Sequence, residues 1–224
     1  MSKINLRTFR RRLDLDLIPA SHSKIILGTL VWDSLLGNPD FDHPGMPNHI
    51  LNPFQVAGYL SQEEREAFER ELKNTPMAEG EFSKWTVDID FNAAAKFKHP
   101  QLGKITKELD FERAQKFAFD DIKVRVMTNS DRIRLSSYLE QLKENNWEDY
   151  KGTIRRVFVI TELYYGSVSI TIDRKFQKKF ESNLKQAKLD ATSSFEMNRS
   201  VSYSFANDSV PFAMNLERVN QFYP

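Results

Sequence analysis

The sequence contains 224 residues, of which 40% are hydrophobic and 28% are charged, and its formal net charge is +1. This composition excludes a disordered chain, because disorder requires few apolar residues and a high net charge. The small net charge gives no reason to expect a nucleic-acid partner. The absence of cysteine excludes disulfides, thiolate metal sites and cysteine nucleophiles. We expect one folded domain over residues 1–224.

The N-terminal segment is basic but has no apolar signal-peptide core before Asp14 and Asp16. No apolar run in the sequence approaches the roughly 20 residues that a membrane helix needs. We therefore expect synthesis in the cytoplasm and no membrane-spanning helix.

The first predicted element is a short basic helix over residues 3–12. Leu6, Phe9 and Leu13 recur at helical spacing, and the segment contains no acidic residue. A basic amphipathic helix can bind an anionic bilayer, although the same apolar stripe can also pack on a protein core while the arginines are solvated. The arginines of this helix are Arg7, Arg10, Arg11 and Arg12.

Three further elements are predicted before residue 80. The apolar segment 17–32 indicates one or two short buried strands. Residues 37–53 are rich in proline and glycine, which predicts an ordered loop. Ser61 is followed by Glu64 in the pattern of a capping box, which predicts an exposed helix that ends near Lys73.

Four later segments are predicted strands: 83–97, 115–127, 154–172 and 194–205. They alternate apolar and polar residues, except that the first part of 154–172 is continuously apolar at residues 157–160. In the second segment the alternation slips at Asp120 and Asp121, as a β-bulge would cause. The residues of the other segments that would face lipid in a membrane are Trp85, Val87, Ile89, Phe91, Val168, Ile170, Ile172, Phe195, Met197, Val201, Tyr203 and Phe205.

The length of these strands bears on membrane insertion. Segments 83–97 and 194–205 reach the roughly 9–11 residues that a strand needs to cross a bilayer, whereas ordinary strands have about 5–6. A half-buried antiparallel sheet in any folded protein alternates in the same way. Alternation alone therefore does not separate the two interpretations.

Two helices are predicted between these strands. Ser130 is predicted to cap a helix that carries Leu135, Leu139 and Leu142 at helical spacing. Residues 174–191 predict a basic amphipathic helix whose lysines include Lys178 and Lys179.

The sequence gives little support for catalysis. Ser21 and Lys24 have a serine-x-x-lysine spacing without the companion motifs of a nucleophilic site. Four possible metal ligands lie in the proline-rich loop, but their spacing matches no known metal site: Asp40, Asp42, His43 and His49. We expect no enzyme activity, no metal and no cofactor.

The order of these elements, with long amphipathic strands, a basic helix inside the second pair and a basic N-terminal helix, resembles the pore-forming domain of gasdermins. Residues 156–162 (RVFVITE) are similar to a strand of that family. Residues 210–214 (VPFAM) are similar to a motif near the end of the domain in bacterial members. Residues 27–30 (LGTL), followed by Asp33, are similar to a motif near its start. The short bacterial and fungal gasdermins are the members that the sequence resembles.

The resemblance implies an α+β fold with a twisted antiparallel sheet and surrounding helices. It also implies binding to acidic membrane lipids, homo-oligomerisation and conversion of two hairpins into a β-barrel pore that kills the host cell, as in antiphage defence. The protein would be cytoplasmic when inactive and at the membrane when active. The lipid contacts carried over are Arg7, Arg10, Arg11, Arg12, Lys178 and Lys179.

Gasdermins are usually restrained by an inhibitory domain or by a short tail that proteolysis removes. In this sequence only residues 217–224 follow the strand that ends the pore-forming domain. Control by an activating protease and control by an inhibitory partner protein both remain open. The alternative function is a soluble lipid-carrier or protein-interaction module that holds its ligand on an amphipathic sheet. A metal hydrolase built on the His43 loop is a third possibility.

Overall fold

The computed structural model describes residues 15–18, 25–33, 39–42, 44, 47–79, 84–87, 114–145, 157–187, 191–196, 199–205 and 210–219. The basic helix predicted at residues 3–12 lies outside these ranges. The predicted site residues that also fall outside them are Arg7, Arg10, Arg11, Arg12, Ile89, Phe91 and Met197.

The described secondary structure mixes helices with antiparallel strands, as in an α+β fold. The helices are α1 (Leu51–Val56), α2 (Gln62–Lys73), α3 (Asn129–Asn145) and α4 (Gln177–Ala187), and a 3-10 turn (Arg174–Phe176) precedes α4. The strands are β1 (Asp16–Leu17), β2 (Leu30–Asp33), β3 (Pro39–Asp40), β4 (Met77–Glu79), β5 (Lys84–Val87), β6 (Ala114–Val126), β7 (Val157–Asp173), β8 (Thr192–Glu196), β9 (Ser200–Phe205) and β10 (Ala213–Arg218).

The chain forms two compact units, each assembled from three segments. The first unit comprises Met1–Lys24, Ala78–Val124 and Tyr164–Ala213. The second unit comprises Ile25–Met77, Arg125–Leu163 and Met214–Pro224. The single domain over residues 1–224 stays a prediction.

In the first unit, antiparallel pairing joins β5 to β6, β7 to β9 and β8 to β9. The paired stretch of β7 and β9 begins with Val168 opposite Phe205 and ends with Asp173 opposite Ser200. Asp121 has a φ of 52° within β6. This left-handed residue lies where the alternation of the sequence slips, as expected of a bulge.

In the second unit, β2 pairs with the first part of β7, where Leu30 lies opposite Val159. The helices supply large side chains to the core, and Phe54 of α1 and Phe68 of α2 are 1% and 0% exposed. The ring of Phe54 lies 5.3 Å from that of Tyr138 on α3, measured between centroids. These apolar contacts follow from the helical spacing of the sequence.

The capping box predicted at Ser61 is confirmed. The hydroxyl of Ser61 accepts a hydrogen bond from the Glu64 N–H at 3.2 Å, and the Ser61 N–H donates to the Glu64 carboxylate at 2.8 Å. Helix α3 starts differently from the prediction. Thr128, not Ser130, accepts the N–H of Asp131, at 3.1 Å, and its hydroxyl donates to the Asp131 carboxylate at 2.6 Å. Thr128 caps the helix because its hydroxyl forms two hydrogen bonds with Asp131, accepting the backbone N–H and donating to the carboxylate.

Two predicted boundaries need correction. The loop predicted at residues 37–53 contains β3 and the beginning of α1. Pro53 lies in the first turn of α1, where a backbone N–H has no acceptor within the helix, so proline is tolerated there. The basic helix predicted to reach residue 191 is described as helical only to Ala187, and Ala191 directly precedes β8.

The strand predicted over residues 194–205 is wrong. The structure forms a hairpin there, in which β8 and β9 are 5 and 6 residues long and Glu196 lies opposite Ser200. Arg199 adopts a φ of 78°, the left-handed conformation that often ends a three-residue hairpin loop. Each strand is therefore shorter than a bilayer span, and the length argument from this segment does not hold.

Candidate membrane-binding region

The candidate region lies in the first unit and consists of β7 from Val168 onward, helix α4 and the β8–β9 hairpin. The apolar residues that the sequence predicts on β7 and β9 lie opposite one another: Ile170 faces Tyr203, and Ile172 faces Val201. All four side chains are buried, with exposures of 0%, 2%, 3% and 0% for Ile170, Tyr203, Ile172 and Val201. Phe205 is also buried. The structure thus brings together five of the predicted membrane-facing residues.

The remaining predicted strand residues are placed by their backbones. Val168 begins the β7–β9 pairing, opposite Phe205. Phe195 of β8 lies opposite Val201. Trp85 and Val87 lie on β5, opposite Phe119 and Phe117 of β6, respectively.

The polar residues between the apolar ones form a ladder of hydroxyl groups across β7 and β9. The hydroxyls of Ser169 and Ser204 are 2.8 Å apart, and those of Thr171 and Ser202 are 3.0 Å apart. Ser169, Thr171 and Ser202 are each only 6% exposed. Both faces of this strand pair are therefore buried in the described structure, and the mutual hydrogen bonds satisfy the hydroxyls that lose contact with water.

Helix α4 follows directly from the end of β7. Asp173 caps the preceding 3-10 turn by accepting the N–H of Lys175 at 3.0 Å, and this hydrogen bond lowers the pKa of its carboxyl group. The lysine ammonium also lies 3.3 Å from the same carboxylate. The cap fixes the point at which the strand ends and the basic helix begins.

Helix α4 has one buried face and one exposed basic face. Phe180 and Leu184 are 8% and 6% exposed, so the apolar stripe packs within the protein. Lys178 and Lys179, the two lysines predicted to contact lipid, are exposed. These lysines therefore lie on the exposed face of the helix, whereas the apolar side chains are buried.

Sequence reasoning missed the side-chain contacts that join α4 to β9. The rings of Phe180 and Tyr203 lie 4.6 Å apart between centroids. The Tyr203 hydroxyl donates to the Glu181 carboxylate at 3.0 Å, and the side-chain amide of Gln177 donates to it at 2.9 Å. These two donors lower the pKa of Glu181, whereas burial raises the pKa of Tyr203.

The proline-rich loop of the second unit has a structural role at His49, which is 5% exposed. Its Nε2 lies 2.9 Å from the carbonyl oxygen of Leu27, and its Nδ1 accepts the N–H of Leu51 at 3.3 Å. Nε2 must carry the proton because a carbonyl can only accept, and burial lowers the pKa of the ring. His49 is thus a neutral bridge between two backbone segments.

The other members of the proposed metal cluster are Asp40, Asp42 and His43. Asp40 accepts the backbone N–H of Asp42 at 3.1 Å, and His43 lies outside the described residues. Across the part of the chain that the structure describes, no group of three or more His, Cys, Asp or Glu side chains could hold a metal ion.

The predicted C-terminal tail begins later than expected. Strand β10 runs to Arg218, so Glu217 belongs to the fold. Val219 is 4% exposed. Residues 220–224 follow this strand and lie outside the described residues.

Among the described helices, none combines the length and the apolar character needed to cross a membrane. The sequence matches no protein-family model and no curated protein.

Proposed function

We propose that this protein is a gasdermin-like pore-forming protein that binds acidic membranes, oligomerises and inserts β-hairpins to permeabilise them. One observation carries the proposal. The end of β7 and all of β9 pair residue by residue with apolar side chains on one face and hydroxyls on the other, and a lysine-bearing helix connects β7 to the β8–β9 hairpin.

The β7–β9 pair has one apolar and one polar face, as a membrane-spanning strand pair requires. A strand that crosses a bilayer presents apolar residues to lipid and polar residues to water, and its backbone groups must be paired with neighbouring strands. Strand β7 has 17 residues and β6 has 13, more than the roughly 9–11 that a crossing requires. β8 and β9 are shorter, so their insertion requires neighbouring residues to extend them.

The exposed lysines supply the attraction to the membrane. Each basic residue near an anionic surface contributes on the order of 1 kcal/mol. Lys178, Lys179 and Lys185 are exposed on the same short helix. Together with the predicted arginines Arg7, Arg10, Arg11 and Arg12, they give the protein a preference for acidic lipids.

The described structure corresponds to the inactive state in this proposal. Both faces of the β7–β9 pair are buried, so insertion requires the side chains that cover them to move away. The protein is cytoplasmic in this state and is released to the membrane by an activating protease or by loss of an inhibitory partner protein. In the active state it is a homo-oligomer.

Release of a trapped dye from vesicles tests the proposal. We expect release from vesicles that contain phosphatidylserine or cardiolipin and little release from vesicles of phosphatidylcholine alone. Electron microscopy of the leaking vesicles should show rings. A lipid-carrier module would bind or transfer lipid without release, and that outcome would overturn the proposal.

A further inference from the structure

Helix α4 is joined to strand β9 by a small group of side chains, which we name the α4 latch: Gln177, Phe180, Glu181 and Tyr203. The tyrosine is 2% exposed, and its ring packs on Phe180. Its hydroxyl donates to Glu181, which also accepts the amide of Gln177. The latch therefore combines an aromatic contact with two hydrogen bonds to one carboxylate.

The residue types at positions 181 and 203 explain the hydrogen bond between them. A buried tyrosine hydroxyl needs an acceptor, and a carboxylate forms the stronger kind of hydrogen bond because it is charged. Glu181 is the only acidic residue between Asp173 and Asp190, in a segment that is otherwise rich in lysine. Glu181, the single acidic residue of α4, thus accepts the hydrogen bond from the β8–β9 hairpin.

We infer that the Tyr203–Glu181 hydrogen bond holds α4 against β9 and that its loss is the step that frees the helix and the hairpin for the membrane. This inference rests on the proposed function. Tyr203 belongs both to the latch and to the apolar face of the β7–β9 pair. The hairpin therefore cannot turn that face toward lipid while the tyrosine remains bonded to Glu181.

The variant Tyr203→Phe tests the latch with little other change. It removes the hydroxyl, keeps the ring that packs on Phe180 and leaves the net charge unaltered. Hydrogen exchange of the amides in residues 177–187 should become on the order of tenfold faster, because a hydrogen bond to a charged group is lost. Exchange in helix α2 should not change.

Two further variants separate the latch from a general loss of stability. Tyr59→Phe removes another tyrosine hydroxyl, which donates to the Gln141 carbonyl oxygen at 3.2 Å in the second unit, and should leave exchange in α4 unchanged. In a Glu181→Ala background, Tyr203→Phe should add little, because the bond is already absent. An equal, additive effect in that background would contradict the inference.

Dye release from vesicles measures the effect of the latch on membrane permeabilisation. With phosphatidylserine vesicles, Tyr203→Phe should release dye several-fold faster than the wild-type chain. If exchange in α4 accelerates while release keeps the wild-type rate, the latch does not control insertion and the inference is wrong. If the wild-type chain releases no dye, the proposed pore-forming function is wrong. The comparison of hydrogen exchange between wild type and Tyr203→Phe still decides whether Tyr203 holds the helix.

Discussion

Arg132 of helix α3 donates two hydrogen bonds to the carboxylate of Glu217 on strand β10, at 2.8 and 2.7 Å. Both side chains are about one-third exposed, at 30% and 29%. The bidentate geometry fastens the last described strand to a helix that precedes it by some 85 residues in sequence. The hydrogen bonds from Arg132 lower the pKa of Glu217 below its ordinary value of 4.5.

This ion pair predicts an acid-dependent loss of stability. A carboxyl group whose pKa is lowered by folding stabilises the protein above its unfolded pKa, and this contribution is lost as the pH falls through the folded pKa. Glu217→Gln should therefore lower the free energy of unfolding by about 1 kcal/mol at pH 7, with a smaller difference below pH ~4. Urea unfolding at both pH values measures it.

The Arg134–Glu71 pair provides the control for this prediction. Its side chains are 42% and 56% exposed, so solvent screens the interaction more strongly. Glu71→Gln should lower the free energy of unfolding by less than Glu217→Gln does at pH 7. Equal losses of free energy from the two variants would show that the lower exposure and bidentate geometry of the Arg132–Glu217 pair add nothing.

Gly28 and Gly58 separate backbone strain from steric exclusion. Both have a positive φ, of 85° and 78°, so alanine at either position costs about 1–2 kcal/mol. A Cβ at Gly28 would also lie 2.7 Å from Nε2 of His49, whereas a Cβ at Gly58 would meet no atom within 4 Å. Gly28→Ala should therefore lower the free energy of unfolding clearly more than Gly58→Ala. Similar urea midpoints for the two variants would disprove the close contact.

The exposed lysines of α4 should control membrane binding without affecting the fold. Lys178→Gln with Lys179→Gln removes two positive charges from the exposed face, which weakens attraction to an anionic surface by about 2 kcal/mol, or roughly thirtyfold. Sedimentation with phosphatidylserine vesicles measures the loss, and the melting temperature should stay the same.

A matched variant removes the same charge elsewhere. Arg70 and Lys73 are exposed on helix α2. Arg70→Gln with Lys73→Gln should bind vesicles more tightly than the α4 variant does. If both pairs weaken binding equally, net charge rather than the position of α4 determines the attraction.

The C-terminal residues allow a test of proteolytic control. Deleting residues 218–224 would remove Arg218, whose guanidinium lies 5.7 Å from the Phe158 ring centroid, and the buried Val219. That deletion would confound regulation with stability. Deleting residues 220–224 alone should raise dye release if a tail restrains the protein, with an unchanged melting temperature. Equal or lower release would favour control by a partner protein.

Two local signals in the sequence located features that the structure contains. The Ser61 and Glu64 side chains cap α2 from three residues apart, so the helix start could be read directly from the sequence. The irregularity at Asp121 interrupted the alternation of β6 and could be located in the same way. These features depend on neighbours in sequence.

Features that depend on register could not be read so directly. The residues 195, 197, 201, 203 and 205 keep one parity, so alternation continues from β8 to β9 and conceals the turn. The sequence signal for the turn was Arg199, a polar residue at an odd-numbered position where the alternation calls for an apolar one. The structure places Arg199 in the turn. The Tyr203–Glu181 bond joins residues 22 apart and exists only because the hairpin returns against α4.

The hydroxyl ladder of β9 offers the sharpest test of insertion. The chain has no cysteine, so a single introduced cysteine is a unique probe. Val201 and Ser202 are adjacent, lie on opposite faces and are 0% and 6% exposed. Without membranes, a cysteine at either position should therefore be protected from a water-soluble maleimide.

Membranes should separate these two positions. If β9 enters the bilayer with its apolar face toward lipid, a cysteine at 202 meets water and reacts, whereas one at 201 meets hydrocarbon and stays protected. Ser182→Cys, on the exposed face of α4, serves as the control for reagent activity before vesicles are added. Because both positions are buried at the start, unfolding on the vesicle would expose both, and an unchanged sheet would expose neither. Only reaction at 202 without reaction at 201, on vesicles that release their dye, supports an inserted strand.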